Sequence, residues 1–127
     1  MSVSNLPVPP VTVTAGSAIS IYRYLELNAD GKFDHADGAQ GPAMGVSNEA
    51  AAADGDALGM QLMVGIAKVE AGAAVTRGAA QATDASGRTI DHVSTAGNEI
   101  LGYAMDAASG AGEIIRVLLQ VKQDGAT

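Results

Sequence analysis

From Ile19 the chain alternates. Ile19, Ile21, Arg23, Leu25 and Leu27 fall on one face, and Ser20, Tyr22, Tyr24 and Glu26 on the other. A period of two with β-branched and aromatic residues predicts a strand. Asn28-Ala29-Asp30-Gly31 predicts a turn, and Lys32-Phe33-Asp34 the returning arm of a hairpin. Residues 35–42 read as a loop, with Gly and Pro closing it. Over residues 64–78 short β-runs are punctuated by Gly65, Gly72 and Gly78, and Asp84-Ala85-Ser86-Gly87-Arg88 is a further turn before Thr89-Ile90. The Ala-rich pieces 49–53 and 106–108 are too short to stand as helices and predict one helical turn each at most. The pattern predicts an all-β chain, a small β-barrel or sandwich with at most short helical turns.

Two features lie outside simple alternation. Residues 1–15 predict an extended N-terminal arm. Leu6-Pro7-Val8-Pro9-Pro10 cannot be helical, because each Pro lacks an N–H and biases its predecessor toward extended geometry. Val11-Thr12-Val13-Thr14 continues strand-like, and Leu6, Val8, Val11 and Val13 are too apolar for a solvated tail. Residues 16–127 then read as one β-rich domain with an internal echo. Shifting by 57 positions without a gap pairs Gly45 with Gly102, Ala50 and Ala51 with Ala107 and Ala108, Gly55 with Gly112, Asp56 with Glu113, Leu62 with Leu119 and Val64 with Val121. This predicts two similar hairpin units, residues 45–64 and 102–121.

Composition narrows the functions. Fourteen Asp+Glu against seven Lys+Arg give a net charge of −7, which opposes binding to nucleic acid or to an anionic membrane. No apolar run approaches the roughly 20 residues that span a bilayer, and no cationic, apolar leader opens the sequence. The reading is of a soluble chain made in the cytoplasm. The absence of Cys excludes disulfides, thiolate nucleophiles and Cys-based zinc sites. One Phe, three Tyr and no Trp leave little from which to build a stacking platform or a sugar pocket. Ala supplies 25 of the apolar residues. Each contributes little beside the roughly 1.5–3 kcal/mol of a buried large aliphatic side chain. So thin a core suits a chain that gains stability from a partner or from self-association.

No catalytic constellation emerges. Glu26-Leu27-Asn28-Ala29-Asp30-Gly31 with Asp37 imitates a calcium loop, but Glu replaces Asp at the first position, Asp replaces the bidentate Glu at the twelfth, and a strand precedes it where a helix is needed. A hairpin turn with acidic tips explains it better. His35 and His92 lack the short spacings that converge metal ligands and read as solvated loop residues. Asp54 and Asp56 flank Gly55 in a turn. No Gly-x-Ser-x-Gly elbow and no phosphate loop is present. The chain reads as a non-enzyme without metal or cofactor.

Residues 65–78, with Gly65-Ile66-Ala67-Lys68-Val69-Glu70-Ala71-Gly72 at their head, then Ala82-Thr83-Asp84-Ala85-Ser86-Gly87-Arg88, resemble the central stretch of tailed-phage capsid cement (head decoration) proteins. Asn98-Glu99-Ile100-Leu101-Gly102-Tyr103-Ala104-Met105-Asp106, followed by Gly112-Glu113-Ile114-Ile115-Arg116-Val117, resembles the end of that family. The resemblance covers roughly residues 45–121. It implies a structural virion protein on the outer surface of an icosahedral head, bridging major capsid subunits and stabilising the expanded shell. It also implies a small homo-oligomer, a trimer favoured over a dimer. The apolar arm, Leu6, Pro7, Val8, Pro9, Pro10, Val11 and Val13, is the partner-binding segment expected from the sequence, since an extended segment can add a strand to a neighbour's sheet edge. A phage tail or fibre module, or a small ligand-binding β-barrel, are the competing readings. The first would show longer repeats or a coiled-coil stem, the second an aromatic-lined pocket.

Overall fold

Among the described residues ten strands follow one another: β1 (Val11–Thr14), β2 (Tyr24–Leu27), β3 (Phe33–His35), β4 (Ala43–Ser47), β5 (Ala57–Leu62), β6 (Gly65–Glu70), β7 (Ala80–Thr83), β8 (Thr89–Asp91), β9 (Glu99–Ala104) and β10 (Ile114–Gln123). The structure is a computed structural model and describes residues 10–37, 43–93 and 99–123. The strands form two five-stranded antiparallel sheets in the orders β1-β5-β4-β2-β3 and β6-β10-β9-β7-β8. Neither sheet closes, so the architecture is sandwich-like and not a barrel. No helix occurs among the described residues. The Ala-rich segments expected to make helical turns instead make isolated bridges, Ala51 to Ile19 and Ala108 to Val75. A flat ladder contact suits these small side chains better than an isolated turn with a costly nucleus.

The two sheet orders are the same list displaced by five strands. The internal echo is therefore larger than the two hairpin units expected: the whole second half repeats the first. The parallel bridge Ala15–Phe33 recurs as Ala71–Thr89, and the antiparallel bridge Ile19–Ala51 as Val75–Ala108. The hairpin turns match atom for atom. Asn28 Oδ1 accepts the N–H groups of Asp30 and Lys32, and Asp84 Oδ1 accepts those of Ser86 and Arg88. Asx side chains close turns in this way because their oxygens reach the backbone two and four residues on. Only the β4–β5 and β9–β10 segments kept enough sequence likeness to be read directly.

One position shows why the first strand was overextended. Tyr22 adopts φ 66°, and its counterpart Gly78 φ 85°. The N–H of Tyr22 donates to Ser47 O at 2.8 Å, that of Gly78 to Ala104 O at 2.7 Å. The topology needs a left-handed residue here. Gly78 supplies it freely, while Tyr22 adopts a conformation uncommon for a bulky residue. The alternation from Ile19 breaks at this point, and β2 begins only at Tyr24. Thereafter Tyr24, Leu25 and Glu26 are all buried, so both faces of β2 are covered.

Two apolar clusters explain this. One is the first sheet's own: Ala15, Ile19, Leu25, Phe33, Leu58 and Met60, with Val13 of β1 against it. The other lines the second sheet, with Val69, Val75, Leu101, Ile115, Val117 and Leu119, but it also contains Tyr24, Ala36, Ala43 and Val46 from the opposite face of the first sheet. In the second half Gln81 and Thr89 stand where the first has Leu25 and Phe33. Tyr24 thus lends the second half's core cluster the only aromatic ring that cluster contains. Its hydroxyl donates to Thr89 Oγ1 at 2.9 Å, Thr89 donates to Gln81 Oε1 at 2.8 Å, and Gln81 Nε2 donates to Asp91 Oδ1 at 2.8 Å. Gly87 makes the approach possible. Its carbonyl accepts the Tyr24 N–H at 2.7 Å, and a Cβ there would lie 2.7 Å from the Tyr24 carbonyl oxygen.

Tyr24→Phe should lower the unfolding free energy by about 1 kcal/mol, the net worth of one hydrogen bond whose remaining partners stay paired. Tyr24→Ala, which empties the shared cluster, should cost about 3–5 kcal/mol. Urea titration followed by circular dichroism reads both, and equal losses for the two variants would show that the ring is not the larger contributor.

Candidate functional site

The residues with chemical potential are engaged in holding turns. Asp34 Oδ2 accepts from Asn28 Nδ2 at 3.0 Å, and its Oδ1 from Ser17 Oγ at 2.8 Å, so the calcium-like loop spends these oxygens on its own closure. Asp37 N–H donates to Glu26 Oε1 at 3.3 Å, and burial pushes the Glu26 carboxyl up from its ordinary range. Asp56 Oδ2 accepts the N–H groups of Ala52 and Ala53, while Asp54 pairs with Lys32 at 2.9 Å. The counterpart of Asp56, Glu113, holds the Ser109 hydroxyl and N–H. Among the described residues no three His, Asp or Glu side chains gather as a metal would require. His35 is not the solvated loop residue expected. It ends β3, is half-buried, and its Nε2 accepts the Ser20 N–H at 3.0 Å.

Where the halves meet, polar groups concentrate. Arg23 donates from Nη1 to Ser86 O at 2.9 Å and pairs through Nη2 with Glu70 at 3.3 Å. Arg88 lies 4.0 Å from the other Glu70 oxygen and bonds Asp84 at 3.0 Å. Beside this network a shallow pocket of about 210 Å³ opens between the sheets, lined by Tyr22, Ser47, Asn48, Gln61, Ile66 and Lys68. It is small and holds no nucleophile–base pair. Further along the second sheet Asp106 grips the Arg116 guanidinium at 2.8 and 2.9 Å, which holds its carboxyl well below the usual carboxylate range. These bonds hold the protein's own loops and strands together.

Of the expected partner-binding residues, Leu6, Pro7, Val8 and Pro9 lie outside the described residues. Pro10 is exposed. Val11 and Val13 stand in β1, which pairs antiparallel with β5 from Val11–Met60 to Thr14–Ala57. The ladder begins where the prolines end, since Pro10 has no N–H to give it.

A family model described as phage cement protein matches residues 3–119. The chain belongs to the phage cement protein family. It is accordingly a structural component of a phage virion that binds the capsid. A search of curated proteins finds no match. Among solved structures, the head fiber gp8.5 N base of bacteriophage phi29 is similar in fold, with 20% sequence identity and a TM-score of 0.68 over 87% of this chain and 92% of that one.

Sequence reading placed Tyr24 on a polar face and gave Gln81 and Thr89 no role. The available signal was a Tyr in an aromatic-poor chain on a strand whose other face was already apolar. Burial, and after it Arg23, hold the His35 imidazole below its ordinary pKa of 6.5. The unfolded chain therefore binds more protons than the folded one as pH falls below that value, so stability drops on acidification toward the folded pKa. Urea midpoints should decline as pH falls below 6.5. His35→Gln should flatten that decline.

Proposed function

We propose that this cement protein binds the outer surface of an icosahedral phage head and bridges major capsid subunits, stabilising the expanded shell. The family match over residues 3–119 carries the reading. Bridging needs two footholds at fixed separation, and the chain has two copies of one five-stranded unit joined through a shared core. The attachment arm is Leu6, Pro7, Val8, Pro9 and Pro10, rooted by Val11 and Val13 in β1. The protein is made in the host cytoplasm and assembles on the head as a small homo-oligomer, a trimer favoured over a dimer. A net charge of −7 fits a position outside the shell, away from DNA. A second reading, the base of a head fibre, is favoured by the fold likeness to the phi29 head fiber base. It differs in requiring a projecting stem.

Added to expanded heads that lack it, the protein should bind to saturation in a symmetry-fixed copy number and raise the temperature at which the heads rupture. A ligand that binds only the intact lattice stabilises it by mass action, and many bridging copies need only modest single contacts. Sedimentation of heads and dye fluorescence from released DNA measure the two effects. Equal rupture temperatures for decorated and bare heads would remove the stabilising role. Deleting residues 2–9 should leave the free protein's thermal transition nearly unchanged but reduce head occupancy. Extending the deletion to residue 14 should also lower the transition, because it removes β1.

A further inference from the structure

The duplication assigns meaning to a bare surface. In the first sheet Tyr24 is paired with Val46 and Val46 with Gln61, so the three share one face. Tyr24 and Val46 are 0% and 2% exposed, because the second half lies over them. The matching row in the second sheet is Ala80, Tyr103 and Leu118, extended by Ile66 of β6. Nothing among the described residues covers it: Leu118 and Ile66 are 44% and 50% exposed. Within this row the side chains are less polar than in the covered twin, while the next row on the same face carries Arg116 and Lys68 where the first half has Gly59 and Thr12. Leu118 stands where the first half has Gln61. Ala79, whose carbonyl accepts the Ala104 N–H, stands where Arg23 accepts that of Ser47.

We propose that this outward face of the second sheet docks a second copy of the chain. The same face of the first half is buried by a unit of the same fold, so the row continues an interface already used within the molecule. Charge points the same way. Residues 1–63 carry seven acidic and two basic side chains, residues 64–127 seven and five. Two copies of a chain with net charge −7 repel least when they meet through their second halves. An apolar row across four strands is a liability for a protein made free in solution unless a partner covers it. The contact closes on itself and does not run on as a filament. Head-to-tail stacking would repeat the Tyr24 insertion, but the counterpart of Tyr24 is Ala80, and the receiving site in the first half is filled by its own Phe33.

The inference rests on the oligomeric part of the proposed function and not on head binding, so the two are tested apart. Sedimentation equilibrium of the full chain without heads should give a multiple of 12.6 kDa. Leu118→Asp and Ile66→Asp should each reduce it to 12.6 kDa with an unchanged circular dichroism spectrum. Leu27→Asp, at a 47% exposed position in the first half, should leave it assembled. Wild-type protein at 12.6 kDa throughout, or a folded L118D variant at the wild-type mass, overturns the assignment. If the wild type is monomeric in solution yet decorates heads, self-association falls and head binding stands. If, in that case, L118D abolishes decoration, the face belongs to the head. Should L118D fail to fold, the wild-type mass and Ile66→Asp decide the matter.

Discussion

One aromatic ring joins this molecule. Tyr24 leaves the first sheet, fills the second half's core and ends on a hydrogen-bonded chain through Thr89 and Gln81 to Asp91. Burial pushes its phenol well above the ordinary range, so the hydroxyl remains a donor at any pH the protein meets. The arrangement is complementary and not symmetric. The first half has Phe33 and Leu25 at these positions and closes its own cluster. The second has Thr89 and Gln81 and is incomplete without its neighbour. Buried polar groups of this kind cost free energy unless every member is satisfied, and here one chain of donors and acceptors satisfies them.

Much of this was legible as pattern and little as arrangement. The all-β class followed from alternation and glycine spacing, and the turns at Asn28 and Asp84 from Asx chemistry. The echo between residues 45–64 and 102–121 was visible because Gly and Ala recur there without a gap. The rest of the duplication was hidden, since topology conserves backbone roles and not side chains. Tyr22 and Gly78 occupy one left-handed position, and Phe33 and Thr89 one parallel bridge, yet neither pair looks alike in sequence. Tyr24 was misplaced for a related reason. Period-two reading assumes that one face meets solvent, and here a second sheet covers the other face.

The roles of the candidate side chains were not legible in the sequence. Carboxylates that imitate ligands or acid–base pairs prove to be turn fasteners: Asp34 to Asn28 and Ser17, Asp56 to Ala52 and Ala53. A loop-closing carboxylate and a ligating one use the same residue types at similar spacing, and only backbone geometry separates them. Membership in the cement family fits a protein whose polar side chains fasten its own loops and whose apolar side chains are partly left at the surface.

The duplicated topology also shapes how the chain folds. Every described ladder stays within its own half, so no strand waits for a partner beyond the β1-to-β5 or the β6-to-β10 closure of that half. Loop-closure entropy is incurred twice over short spans and not once over the whole length, which lowers contact order for an all-β protein. The halves also differ in self-sufficiency. On a ribosome the half with a complete core emerges first, and it already displays Tyr24 when β6 appears. Synthesis in this direction presents a finished template to the half that needs one; the reverse gene order would expose an unfilled, polar-lined cluster first.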